Sequence, residues 1–324
     1  MGSYIIPIFW LTGDKYISTR KVISNQLHLS NGIILPYNIF ADAFVDVGIF
    51  IFSKNCENSE MSSIYEFNPK DNINYRILNE LKFNTLRKSE WKKSNDLKII
   101  FNPLSRSLLN KLGQFEVKIS DITDSIRGIL ANQEDYSDIQ VDNEYRPIFI
   151  GKLDRYYMDN SMKFIKYGDN LKEKPFSYNY FKDERLLIRR IISRQFRVMA
   201  YLTNNEFVNK KDIYVFKLNS TIISTKYLLA IINSKLISFI ITKVSTTAKK
   251  DDFTQLTLND IRELNIPIPN QEQQTKIENL VSVIIETKMI DTDIDTTVQE
   301  SEIDQLVYQL YELTEEEIKT IEAN

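Results

Sequence analysis

The apolar positions of this chain change their spacing from one segment to the next, and the spacing outlines most of its elements. Tyr16 to Gln26 reads as a helix, and Gly32-Ile33-Ile34-Leu35-Pro36 as a short buried strand ended by proline. Val45 to Phe52 is an apolar, β-branched and aromatic run of strand length. Residues 55–95 are polar and rich in Asn, Ser and Lys, which reads as a linker, with a surface turn at Trp91-Lys92-Lys93-Ser94-Asn95. A mixed region follows from about Leu97. Strand-like runs at Pro147 to Ile150, Phe164 to Tyr167, Arg185 to Ile192 and Asp212 to Leu218 alternate with polar turns. Their spacing leaves no room for regular crossover helices, so antiparallel or mixed pairing is expected.

The pattern then becomes helical. From Ser224 onward, Leu228, Ile231, Ile232, Leu236, Phe239 and Ile240 fall on one face of a single helix. Thr257 and Asp260 open a short helix that Pro267 and Pro269 must end. Asn270 with Gln273 caps a helix carrying Ile277, Leu280, Val281, Ile284 and Ile285. Ile303, Leu306, Val307, Leu310 and Tyr311 form a second stripe, and Thr314 with Glu317 caps a last short helix. Any helix must bury one face, so these stripes read as core or helix-pairing seams.

Composition sharpens this picture. The 324 residues, 43% of them hydrophobic, suffice for about two domains with a sizeable core. The net charge of −3 conceals a polarised chain: Arg146 to Asn270 holds 22 Lys+Arg against 12 Asp+Glu, whereas Gln271 to Asn324 holds 3 against 14. A basic segment of this kind suits a polyanion. One cysteine, Cys56, and one histidine, His28, leave no disulfide framework, zinc set or histidine-based triad, and both read as packing or surface residues. Glu80-Leu81-Lys82, Glu90-Trp91-Lys92 and Glu116-Val117-Lys118 each match the short half of a metal-nuclease motif, but three matches in a Lys/Glu-rich stretch show how cheaply it arises. With no apolar run of membrane-span length and no leader, a cytoplasmic protein without a membrane partner is expected.

Three separate stretches carry a resemblance. The first is Leu35-Pro36 followed by Phe40, Ala43, Val45 and Asp46 and the apolar run to Phe52. The second is Pro147-Ile148-Phe149-Ile150-Gly151-Lys152-Leu153-Asp154-Arg155-Tyr156, followed by Arg185-Leu186-Leu187-Ile188-Arg189-Arg190. The third joins Leu228 to Lys235, Leu264-Asn265-Ile266-Pro267-Ile268-Pro269 and Ile303 to Thr314. In this order they resemble the adenine-specific DNA methyltransferases and type IIG restriction–modification proteins with a TaqI-like specificity domain. The last helix–proline–helix run is also similar to half of a type I specificity subunit. The resemblance implies a mixed α/β (α+β) chain. Residues 1–55 would be the end of a methyltransferase-like sheet and 56–96 a linker. Residues 97–270 would form a target-recognition domain, and 271–324 a helical docking element packed on a methyltransferase subunit or on its own recognition domain.

The sequence departs from the family at the catalytic motifs. The glycine-rich turn for S-adenosylmethionine and the Asn/Asp-Pro-Pro-aromatic tetrapeptide that holds a flipped adenine are both missing. The nearest string is Asn102-Pro103-Leu104-Ser105. The implied function is therefore sequence-specific recognition of double-stranded DNA, with S-adenosylmethionine in a methyltransferase catalytic domain or partner subunit and no cofactor in this chain. A methyltransferase with degenerate motifs and a protein-interaction scaffold of the same system are the alternatives. No catalytic, cofactor or metal residue is assigned. The DNA-contact candidates are Lys152, Arg155, Lys163 and Lys166, then Arg189, Arg190, Arg194, Gln195 and Arg197, and finally Lys249 and Lys250. Arginine forks suit guanine and glutamine suits adenine, and these charges are expected to gather on one surface. Arg189 and Arg190 face opposite sides of a strand, so at most one of them reads bases.

Overall fold

Central strands must bury both faces, and this explains the uninterrupted apolar run near residue 50. The computed structural model describes residues 1–36, 39–40, 45–54, 60–68, 71, 73–92, 97–192, 196–244 and 255–323. In it, β3 (Val47–Lys54) lies between β1 (Gly2–Pro7) and β2 (Leu27–Ile34), antiparallel to both. The sheet continues through β4 (Met61–Glu66), parallel to β2, to β5 (Asn84–Arg87), in the order β1-β3-β2-β4-β5. Helix α1 (Ile17–Gln26) forms where the sequence predicts it, and its buried Arg20 donates to the Trp10 and Gly13 carbonyls at 2.9 and 2.8 Å. Trp10, Leu29, Phe50, Ile64, Leu86, Trp91 and Phe101 form the core here.

Two expectations are corrected in this unit. The segment read as a linker supplies β4 and β5, because the buried Ser62, Ile64 and Leu86 alternate with exposed neighbours and complete the sheet. Trp91 is not on a surface turn: it ends the short helix Lys88–Trp91 and is buried. His28 is buried in β2, where burial and the neighbouring Lys88 lower its pKa. Cys56 lies outside the described residues.

The chain divides into two compact units, one formed by Met1–Leu108 and the other by Leu109–Lys243 with the described residues 255–323. The second unit contains two four-stranded sheets. One has the order β9-β7-β8-β6 when its strands are numbered along the chain: β6 is Tyr136–Ser137, β7 is Tyr145–Phe149, β8 is Met162–Lys166 and β9 is Val208–Asn209, which runs parallel to β7. The other is antiparallel: Ala200–Thr203 at one edge, then Arg185–Arg189, Ile213–Leu218 and Thr123–Arg127. Ile148, Phe149, Ile165 and Val208 of the first sheet and Leu187, Met199 and Val215 from the second share one core. The expected mixed pairing and the α/β class are both found.

The single helix expected from Ser224 is two: α2 (Thr225–Asn233) and α3 (Lys235–Val244), bent by 54°. The break is local chemistry. Ser234 is extended (φ −65°, ψ 155°), and its hydroxyl donates to the Ile231 carbonyl at 2.7 Å while accepting from the Ile237 amide at 3.2 Å. The Lys235 amide turns instead to Asp304, at 2.8 Å. Beside the bend, the Asn233 side chain accepts from the Ala200 amide (2.9 Å) and donates to the Ala200 carbonyl (3.0 Å), while Ser238 accepts from the Val198 amide at 3.1 Å. Among the described residues no single helix is long and apolar enough to cross a membrane; this bent pair passes only jointly, by length and composition.

The capped helices follow as expected: α4 (Leu258–Arg262), α5 (Gln271–Ile290), α6 (Thr297–Leu310) and α7 (Glu315–Glu322), with capping boxes at Thr257, Asn270 and Thr314. The proline-rich stretch is extended, and its carbonyls are held by two buried tyrosines: Tyr311 donates to Asn265 O at 3.0 Å and Tyr227 to Pro267 O at 2.9 Å.

Candidate nucleic-acid interface

Three chain segments meet at one end of the two sheets and enclose a groove of about 410 Å³. The turn after β7 contributes Gly151, Lys152 and Leu153, the end of the Arg185–Arg189 strand contributes Arg189 and Ile191, and the turn into Ile213–Leu218 contributes Lys210, Asp212 and Ile213. Phe149 and Ile150 complete a largely apolar wall.

The turn that carries Lys152 is fixed by Asp159, whose carboxylate accepts from the Lys152 amide at 2.8 Å and the Ser161 amide at 2.9 Å. Burial raises the Asp159 pKa, but these hydrogen bonds outweigh it and hold the carboxyl below its ordinary value. The same packing explains Gly151: a Cβ there would lie 1.7 Å from Asp159 Oδ1. Gly128 plays the matching part for the other turn, since its Cβ would lie 2.2 Å from the Asn209 and Lys210 carbonyls.

Around this frame the expected contact residues separate into distinct settings. Lys152 and Arg189 both line the groove. Lys152 is 67% exposed and pairs with Asp154 at 3.1 Å. Among the described residues Arg189 donates only to the Met199 thioether, a weak acceptor, at 3.6 Å. Arg190, on the opposite face of the strand, donates to Gln255 at 2.7 Å and lies 3.8 Å from Asp212. Lys163 and Lys166 lie on β8, each half-exposed and paired, with Asp138 at 2.7 Å and Glu144 at 3.2 Å; the Glu144 partner raises the Lys166 pKa.

Arg155 and Arg197 are turned inward. Arg155 makes a forked pair with Glu300 of α6 at 3.0 and 2.8 Å, and Arg197 donates to the Asn233 carbonyl at 2.7 Å. Burial, then the neighbouring Arg155, lowers the Arg197 pKa, and burial pushes the nearby Asp304 up to about 6. Between them Tyr156 is fully enclosed in a left-handed backbone conformation (φ 58°), its hydroxyl pKa raised by burial and then by Glu300. The expectation of one shared surface therefore fails for these two arginines, because Glu300 of the acidic helical tail pairs with Arg155 and the Asn233 carbonyl draws Arg197 inward. Arg194, Gln195, Lys249 and Lys250 lie outside the described residues.

Lys210 is the groove residue that the sequence reading passed over. Its ammonium sits 5.3 Å from the centre of the Tyr136 ring. The Asn209-Lys210-Lys211-Asp212 turn between two strands was the available signal. Among the described residues, no group of three His, Cys, Asp or Glu side chains is placed to hold a metal ion.

Comparison with known proteins shows what the groove-bearing segment is similar to. Residues 146–268, which supply the groove, match the family described as a TaqI-like C-terminal specificity domain. A Methanocaldococcus jannaschii protein provisionally named a type II restriction enzyme and methyltransferase is 33% identical over 325 residues, covering 95% of this chain and 27% of that protein. The chain thus spans about a quarter of this curated relative's length. The fold is that of the type IIL restriction-modification enzyme MmeI, solved in complex with DNA: TM-score 0.61, 12% identity, 98% of this chain and 48% of that one. The type IIG restriction endonuclease BpuSI also aligns, with TM-score 0.42, 12% identity, 95% of this chain and 47% of that one. The resemblance to restriction–modification proteins with a TaqI-like specificity domain, carried in the sequence by three motifs, is shown.

Proposed function

We propose that this chain recognises a specific duplex DNA sequence for an adenine-specific methyltransferase of a restriction–modification system. The observation that carries the reading is the placement of Lys152, Arg189 and Lys210 around one groove inside the segment that matches a specificity domain. Lysines supply point charges for phosphates, and an arginine fork can read a base edge. Lys163 and Lys166 lie three positions apart on the neighbouring strand β8 and so face opposite sides, which leaves at most one of them to extend the phosphate-contacting surface. Arg155 instead holds the helical tail, and Arg197 the end of α2.

Residues 1–108 read as the closing part of a methyltransferase sheet, and the groove-bearing unit as the reader that presents a target adenine to the catalytic part. S-adenosylmethionine does not fit the residues of this chain. Its eight glycines stand apart and none adopts a positive φ, so no glycine cradle forms. The cofactor belongs, on this reading, to the catalytic domain or partner subunit, and the complex works in the cytoplasm.

The test is binding of the chain to a randomised duplex library, followed by titration of the selected duplex with salt. Affinity is expected to fall steeply as salt rises while preference over scrambled competitors persists. Binding that is weak and indifferent to sequence would leave the chain a scaffold.

A further inference from the structure

We propose that Arg189 reads a guanine in the DNA target, with Lys152 and Lys210 on the flanking phosphates. The proposal rests on the DNA-recognition reading above and names one base and one side chain within it.

The argument starts from what the arginines of the second unit already hold. Arg155 is forked on Glu300, and Arg197 is spent on the Asn233 carbonyl. Arg185 is fully buried and donates to the Asp183 and Phe207 carbonyls. Arg262 donates to Ser125, Arg146 to the Asn143 and Tyr145 carbonyls, and Arg127 reaches Glu173 at 4.0 Å. Arg190 binds Gln255 and Asp212. Among the described residues of this unit, Arg189 is the arginine whose guanidinium engages no oxygen, only the Met199 sulfur. A partly buried guanidinium left with so weak an acceptor is a set of donors awaiting one.

Strand geometry says where those donors point. Arg189 pairs with Ile213 across the ladder, and its amide donates to the Met199 carbonyl at 2.9 Å, so its backbone is fixed on both sides. Side chains alternate along a strand, which sends Arg190 to the face of Tyr214 and Arg189 to the face of Ile191 and Ile213. That face is the groove. Its apolar walls, formed by Phe149, Ile150, Leu153, Ile191 and Ile213, suit the flat, weakly polar surface of a base, and the Asp212 carboxylate that also lines it disfavours a phosphate there. The lysines that share the groove present exposed, flexible ammonium groups, which suit the DNA backbone. An arginine on a rigid strand, presenting two parallel donors, matches O6 and N7 of guanine more closely than the edge of any other base.

The test compares the unaltered chain with Arg189→Gln and Arg189→Lys on a randomised duplex library, with thermal melting to confirm that each variant is folded. The unaltered chain is expected to require guanine at one position of its selected sequence. Both variants should lose about 5- to 150-fold in affinity for that sequence and lose the guanine requirement at that position alone, keeping their preferences elsewhere. Lysine retains the charge without the fork, so its failure to rescue identifies base reading. Two results overturn the proposal while leaving DNA recognition intact. One is a variant that keeps the guanine requirement. The other is an Arg189→Lys chain that binds normally while Arg189→Gln weakens equally on all sequences with a salt slope shallower by about one, the mark of a phosphate contact. If the unaltered chain selects no sequence at all, DNA recognition falls, and with it this assignment.

Discussion

At the groove, the Arg189 guanidinium is hydrogen-bonded among the described residues to the Met199 sulfur alone and faces an opening between two turns. At the junction with the helical tail, Arg155 and Arg197, drawn from the same basic stretch of sequence, are folded against Glu300, Asn233 and the neighbourhood of Asp304. The two settings share residue type and differ in what satisfies it. Charge density alone does not distinguish a reading arginine from a holding one; the partner does. An arginine buried together with its partner holds the fold, whereas one facing a groove with a weak acceptor is available to a ligand; the exposed pair of Lys152 with Asp154 is screened by water and gives way more easily.

The largest effect that tests this contrast is expected at the junction. Glu300→Ala leaves Arg155 partly buried without its partner and should lower stability by about 2–4 kcal/mol, measured as a shift in urea midpoint, while the folded fraction keeps its DNA preference. Gly151→Ala is next. The new methyl must displace the Asp159 carboxylate, which should cost about 1–3 kcal/mol and weaken DNA binding by moving Lys152.

A smaller effect follows from Asp304. Its pKa in the folded protein is raised to about 6 from an ordinary 3.8, so the folded state holds the proton more tightly. Its stabilising contribution is full below about pH 4, is lost as pH rises to about 6, and stays lost above that. Urea midpoints of the parent and of Asp304→Asn, compared between pH 4.5 and 7.5, should show a slope in the parent, on the order of 1–2 kcal/mol in total, that the variant lacks. The smallest effect is expected at the groove rim. Lys152→Ala and Lys210→Ala should each weaken binding a few-fold on every sequence alike and make the salt slope shallower by about one.

Local signals in the sequence were enough for the helix caps, because a cap is a contact over three residues: Thr257 with Asp260, Asn270 with Gln273 and Thr314 with Glu317 all form. The apolar strands around Phe50 and Leu187 were equally legible, since burial on both faces leaves a continuous run. What escaped depends on distant partners. The bend at Ser234 answers to Asp304, some seventy positions on, and β4 and β5 look like linker because half of each faces outward. For the candidate site, the segment was legible and the division of labour within it was not. Nothing local to Arg155 reveals Glu300, and Lys210 becomes visible only when its turn closes beside Gly128.

The carboxamide of Asn233 sets one of its two N–H donors beside its carbonyl acceptor, and with this pair it meets both polar groups of Ala200. Ala200 opens an outermost strand, the place where a sheet is exposed to templating by another molecule's backbone. With the Tyr156 amide, which donates to the same carbonyl at 3.0 Å, that side chain takes the place of a next strand and closes this position of the edge to another molecule's backbone.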